Sequence, residues 1–193
     1  PGMSEALLAS ERRLLVDADL VVVTGQKLFE KYRERNEHVV LARNGADFDF
    51  FHEGPFQSVL PDVPRPIIGY FGAIADWFDL ELVTKLVRER TSYTVVLVGG
   101  VFNVAVETIE HYPNVVIVGQ KPYELMPSYL HAFDVCMIPF KVNAITEATD
   151  PVKFYEYISQ GKPVVATHMP ELFAYKDLLS IAEDHDDFIQ KID

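Results

Sequence analysis

ITEATDPVKFYEYISQGKPVVATHMPEL, residues 145–172, is the stretch whose reading decides the fold class. Asp150-Pro151 reads as a helix start: the Asp can cap free N–H groups, and the Pro suits the first helical position. Gly161 is the stop, followed by Lys162-Pro163. Val164-Val165-Ala166 then reads as a short buried strand. Within the helix, Lys153 and Glu156 lie three residues apart and share a face. Lys153 falls in the first turn, where the helix dipole disfavours a cation. A lysine there makes sense beside a bound anion, and a helix N-terminus is a ready phosphate site. The same pair also reads as a solvated surface couple.

The pattern continues on both sides. Strands are expected at Ile67–Phe71, Thr94–Val98 and residues 115–118, 134–138, 163–166 and 179–182. Helices are expected between and after them, at residues 79–90, 104–111, 123–132, 151–160, 170–176 and 186–191. Short, continuously apolar strands alternating with helices predict an α/β fold with a doubly wound, Rossmann-like parallel sheet covered on both faces. Crossovers are then right-handed, and ligands bind beyond the carboxyl ends of the strands. Towards the N-terminus, residues 4–17 read as a helix with Ser4 as its cap. A strand at residues 19–24, a polar helix at 26–35, a strand at 38–41 and a turn at 43–47 follow. Residues 52–66 hold Pro55, Pro61, Pro64 and Pro66 with little periodicity, the composition of a linker.

The chain has 193 residues, 49% of them apolar, which is enough for one full domain with a fragment of another. A formal net charge of −12 disfavours nucleic acid and anionic membranes as partners, while leaving room for a local phosphate site. Cys136, the single cysteine, lies in an apolar strand pattern and reads as a small core residue. The six histidines show neither zinc spacing nor a Ser or Cys partner. No run is apolar enough to span a membrane, and no signal-peptide pattern opens the sequence. Pro1-Gly2-Met3 reads as a cloning remnant ahead of an internal start.

Glu156 followed by Gly161-Lys162-Pro163-Val164-Val165-Ala166-Thr167 resembles the nucleotide-sugar-dependent glycosyltransferases with two facing Rossmann-like domains, the GT-B fold, and within them the retaining family 4, or group 1, type. Further back, Ala18-Asp19, an apolar strand, Thr24, a helix, a strand, Asn44-Gly45-Ala46-Asp47 and Phe50-Phe51 resemble the end of the N-terminal domain of the same enzymes. The resemblance implies three parts: residues 1–52 as the end of the N-terminal domain, 53–66 as a linker, and 67–193 as the donor-binding domain with its final helix truncated. It implies that Glu156 holds the donor ribose, that Lys153 and the Gly72-Ala73 backbone hold the diphosphate, that Gly99 lies near the nucleotide, and that the Gly119 loop holds the base. Thr149 and Asp150 would face the diphosphate or the sugar, although a capping carboxylate at Asp150 would repel phosphate and Lys153 must offset it.

Two departures stand out. The family's first glutamate would fall at Ala148, with Glu147 or Asp150 as the nearest substitutes. Its arginine and lysine after the first strand are missing, because Ala75-Asp76-Trp77-Phe78-Asp79 follows instead. The implied activity is retaining sugar transfer from a nucleoside diphosphate to an acceptor in polysaccharide or glycoconjugate biosynthesis, with no metal and no cofactor besides the donor. A non-catalytic nucleotide-binding module and a nucleotide-sugar epimerase are the alternatives. The implied partner is the rest of the N-terminal domain. The implied location is the cytoplasm, with the full-length protein peripheral at the inner membrane. The isolated chain should bind nucleotide weakly, transfer nothing, and pair or dimerise through residues 20–24.

Other features admit plainer readings. The glycines at 69, 72, 99 and 100 could serve tight turns alone. Trp77, Phe78 and the aromatic stretch 123–133 read as core packing. Lys141 and Asn143 are candidate donors beside the sugar, and residues 183–187 read as a solvated turn.

Overall fold

The structure is a computed structural model that describes residues 5–193. The Ser4 cap and the Pro1-Gly2-Met3 remnant therefore lie outside the described residues. Helix α1 (Glu5–Asp17) leads into β1 (Val21–Val23), α2 (Gln26–Tyr32) and β2 (Val39–Leu41). These two strands pair in parallel as a sheet of their own. A short helix, α3 (Phe48–His52), follows; its cap is Asp47, which accepts from Phe50 N–H. The periodicity of so short a segment is unreadable, although the Asp47 cap is a local signal for it.

After the proline-rich connection come β3 (Ile67–Phe71), α4 (Leu80–Glu89), β4 (Thr94–Val98), α5 (Glu107–Glu110), β5 (Val115–Gly119), α6 (Met126–Ala132), β6 (Val135–Ile138), α7 (Val152–Ser159), β7 (Val164–Ala166), β8 (Ser180–Ile181) and α8 (His185–Ile192). The six strands form one parallel sheet in the order β5-β4-β3-β6-β7-β8. The expected doubly wound sheet is thus the one observed. The chain winds outward from β3 through β4 to β5, then returns to β6 on the other side of β3, so the topological switch lies between β3 and β6.

Strands β3 and β4 are buried along their whole length, which is why their sequences are almost continuously apolar. Asp79 caps α4 by accepting from Leu82 N–H, and one face of α4, Leu82, Val83, Leu86 and Val87, packs into the core. Phe71 N–H, at the end of β3, donates to the Tyr157 hydroxyl at 3.2 Å and ties α7 to the sheet centre. Cys136 and Phe78 are fully buried, as expected, whereas Trp77 stands 40% exposed.

Several boundaries differ from the expected ones. The helix expected at 104–111 shrinks to Glu107–Glu110, because the chain first runs extended through Val101, which bridges Ile74, and turns at Asn103 with φ 57°. Residues 170–175 form a 3₁₀ turn rather than an α-helix, and residues 123–125 form another ahead of α6. The acidic stretch 183–187 starts α8, with Asp184 accepting from Asp187 N–H as its cap.

The two-stranded unit is pinned to the larger sheet by buried polar groups. The Glu171 carboxylate, 3% exposed, accepts from the backbone N–H groups of Gln26 at 2.7 Å and Lys27 at 2.8 Å and from Arg43 Nη1 at 3.1 Å. Gln160 Nε2 donates to Phe51 O at 2.8 Å, and His52 Nδ1 lies 3.0 Å from Ser159 O. No helix among the described residues is long and apolar enough to cross a membrane.

Candidate functional site

A cleft of about 360 Å³ opens beyond the carboxyl ends of β3 and β4, beside the N-terminus of α7. That is the size range of a small-molecule site, and the switch point of the sheet is where such a fold places one. Its floor is Phe71-Gly72-Ala73 and Val98-Gly99-Gly100; α7 contributes Val152, Lys153 and Glu156, and the remaining wall includes Phe102, Gln120 and Tyr123.

Gly72 and Gly99 are required here by close approach as well as by backbone conformation. At Gly99, φ 150°, a Cβ would lie 2.0 Å from Gly72 O; at Gly72, φ 129°, it would lie 2.8 Å from Lys153 Nζ. Their N–H groups are already committed, Gly72 to Val98 O at 2.8 Å and Gly99 to Gly119 O at 2.9 Å. This corrects the expectation that Gly72 offers its N–H to a phosphate: it supplies clearance. The Ala73 N–H donates to no group among the described residues and stays available.

Lys153 and Glu156 meet in the cleft, as their spacing predicts. The Lys153 ammonium sits 5.3 Å from the Tyr70 ring centroid and 5.2 Å from that of Phe140, and makes no hydrogen bond among the described residues. Aromatic faces stabilise a cation without satisfying its N–H donors. Burial lowers the Lys153 pKa, and the negative charge of Glu156 partly opposes that shift. Glu156 is 5% exposed; burial raises its pKa, while the Tyr123 hydrogen bond and Lys153 pull it down. A half-satisfied cation beside open helix-terminal N–H groups suits a phosphate, and a carboxylate one turn on suits hydroxyl groups.

Asp150 does not do what its sequence position suggested. The N-cap of α7 is Pro151, with no side-chain cap. The Asp150 carboxylate turns away, accepting from Asn44 N–H at 2.8 Å and from the Tyr155 hydroxyl at 2.9 Å. The repulsion expected between a capping carboxylate and a phosphate is therefore removed. Thr149 also lies outside the cleft lining, its hydroxyl donating to Ile145 O at 2.8 Å. Glu147 pairs with Lys27, so neither substitute for the glutamate missing at Ala148 points into this cleft. Gly119 turns at φ 75° just ahead of Gln120 and Lys121, which line the cleft. Lys141 donates to Asp76 O, and Asn143 braces its own loop by accepting from Ile145 N–H.

Tyr123 is the residue that sequence reasoning missed. The sequence pattern sets it in a core-packing aromatic helix, yet it stands 54% exposed in the cleft wall and its hydroxyl donates to Glu156 Oε1 at 2.6 Å. No local signal in the sequence separates Tyr123 from the aromatics of the helix that follows it.

Residues 65–193 match the family described as "Glycosyl transferases group 1". The chain belongs to this family. Among the relatives of this chain is TuaH of Bacillus subtilis (strain 168), provisionally named as a teichuronic acid biosynthesis glycosyltransferase. The two are 23% identical over 176 residues, which cover 86% of this chain and 44% of the relative. In architecture it is similar to Anabaena HepE, solved in complex with UDP and glucose (TM-score 0.74, 17% identity, 98% of this chain, 56% of that one). It is also similar to sucrose-phosphate synthase from Thermosynechococcus elongatus (TM-score 0.70, 21% identity, 98% and 52%). These matches place the α/β architecture among GT-B glycosyltransferase domains. The chain spans about half the length of these proteins.

Proposed function

We propose that this chain is the donor-binding half of a retaining glycosyltransferase that takes a sugar from a nucleoside diphosphate and adds it to an acceptor in polysaccharide or glycoconjugate biosynthesis. In this reading residues 1–52 are the end of the N-terminal domain, 53–66 the linker and 67–193 the donor domain. The carrying observation is Lys153 and Glu156 converging in one cleft at the uncapped N-terminus of α7. Lys153, the Val152 and Lys153 N–H groups at the start of α7 and the Ala73 N–H hold the diphosphate, the Phe154 N–H being committed to Pro151 O. Glu156 accepts from the ribose hydroxyls. The Gln120 end of the cleft takes the base. In the transfer step, the same cation and dipoles stabilise the departing diphosphate, which is the largest electrostatic demand of the reaction.

UDP is the first nucleotide to test, since HepE was solved with UDP and with UDP-glucose. The partner is the remainder of the N-terminal half, for which Leu14, Leu20 and Val22 present exposed apolar surface. Calorimetric titration with UDP, GDP, dTDP and ADP, wild type beside Glu156→Gln, tests the reading. Selective binding of one nucleotide that the variant loses supports it. Equal binding by both proteins removes Glu156 from the ribose.

A further inference from the structure

Tyr123 links Glu156 to a part of the chain far from α7. Its hydroxyl donates to Glu156 Oε1 at 2.6 Å, its ring stacks on Phe50 at 5.5 Å with planes 14° apart, and it meets Phe51 edge-on at 5.9 Å. Phe51 is fully buried and packs in turn on Phe71 at the cleft floor. The tyrosine is thus fixed at both ends, its ring by α3 and its hydroxyl by the carboxylate. A carboxylate offers about four lone-pair sites, and Tyr123 uses one of them. Glu156 Oε2 accepts no hydrogen bond from the described residues. One Tyr123 bond therefore orients the carboxylate and leaves about three acceptor sites, enough for the two hydroxyls of a diol.

We infer that Tyr123 is a positioning residue for donor recognition: it holds the Glu156 carboxylate in the orientation that receives the ribose diol. The inference rests on the reading of Glu156 as the ribose ligand. It assigns recognition of the diol to a pair contributed by two different segments, the loop after β5 and α7, with α3 bracing the first. The bond also opposes the effect of burial on Glu156. The charged and titratable groups facing the pair are Lys153 and Tyr157 on α7 and Asp47 ahead of α3, and all are unchanged in Tyr123→Phe.

The test is titration of wild type, Tyr123→Phe and Glu156→Gln with UDP and with 2′-deoxy-UDP, between about pH 5 and 8, alongside thermal melts. Phenylalanine keeps the stack on Phe50 and removes the hydroxyl alone. The expected result is a roughly tenfold loss of UDP affinity in Tyr123→Phe, with a much smaller loss for 2′-deoxy-UDP. The fall in affinity on acidification should begin at higher pH in the variant, because Glu156 has lost the bond that favours its ionised form. Equal losses for both nucleotides, or no loss, with Glu156→Gln still impaired, overturn the inference and leave the Glu156 assignment standing. Where wild type binds GDP or ADP in place of UDP, that nucleotide and its 2′-deoxy form serve as the pair; wild type that binds none of the nucleotides, or Glu156→Gln that binds like wild type, overturns both.

Discussion

Asn44 donates two hydrogen bonds to Asp150 across 106 residues of sequence: its backbone N–H to Asp150 Oδ2 at 2.8 Å and its Nδ2 to Asp150 O at 2.7 Å. Asp150 is 3% exposed, and its other partner is the Tyr155 hydroxyl. A buried donor left without its acceptor costs about 1–3 kcal/mol. Asp150→Ala should therefore lower the unfolding free energy by roughly 2–3 kcal/mol, and Asp150→Asn, which keeps one acceptor oxygen, by about 1 kcal/mol. Urea titrations give both values. A midpoint unchanged in Asp150→Ala would show that the hydrogen bond from Asn44 N–H contributes nothing.

Glu171 shows why a near-isosteric replacement fails. Each of its oxygens accepts a backbone N–H, Oε2 from Gln26 and Oε1 from Lys27, and Oε2 also faces Arg43. A glutamine has only one acceptor oxygen, so its amide would point a donor at a donor. Glu171→Gln should cost about 2 kcal/mol even with its oxygen set to keep Gln26 N–H and Arg43, because its NH2 then faces the Lys27 N–H and the charge opposite Arg43 is lost; Glu171→Ala, which leaves all three donors unpaired, should cost roughly 3 kcal/mol. Hydrogen exchange should show faster opening in α2 while β3 and β4 stay protected. A glutamine variant as stable as wild type sinks the argument.

The sheet was legible because its strands carry their environment in their composition. Ile67–Phe71 and Thr94–Val98 are buried on both faces, so every position is constrained, and the expected bounds match the observed ones. Lys153 and Glu156 were legible because both belong to one helix, whose period is known. Asp150 was misread for the opposite reason. Its sequence neighbours offered a cap, but its partner Asn44 approaches from the loop after β2, and no local rule ranks a cap against a distant donor. Tyr123 was hidden in the same way: a half-exposed tyrosine that binds a carboxylate looks, in sequence, like any other aromatic of a core helix.

Gly99 and Gly72 separate backbone clearance from side-chain clearance. A Cβ at Gly99 would strike Gly72 O, a backbone atom held in the sheet, whereas a Cβ at Gly72 would strike the end of the Lys153 side chain. Both positions carry left-handed φ values, so alanine is strained at each, by about 1–2 kcal/mol. Gly99→Ala should add the cost of moving a strand end and lose about 3 kcal/mol or more. Gly72→Ala should lose less stability but displace Lys153 and weaken UDP binding. Melting curves and UDP titrations should therefore rank the two variants in opposite orders, Gly99→Ala the less stable and Gly72→Ala the weaker binder. Equal melting temperatures would refute the distinction.

Lys153 sets stability against binding. Its ammonium is held between Tyr70 and Phe140 with no hydrogen bond among the described residues, and burial depresses its pKa below 10.5. Below that depressed value the folded chain carries a buried charge. As pH rises from there towards 10.5, the unfolded chain still binds the proton that the folded chain has released, so stability increases with pH across that window. Lys153→Met keeps the alkyl volume and removes the charge. It should raise the unfolding free energy at neutral pH by on the order of 1 kcal/mol, with the advantage shrinking as pH approaches the unfolded value. The same charge holds the diphosphate in the proposed complex, so Lys153→Met should weaken UDP binding by roughly tenfold or more. Wild-type affinity should decline as pH rises through the Lys153 pKa, and the variant should lack that decline. Thermal melts and calorimetry across the alkaline range measure both limbs. A variant less stable than wild type at neutral pH would mean that the two aromatic faces more than offset the loss of hydration, and the trade between stability and binding would then not exist.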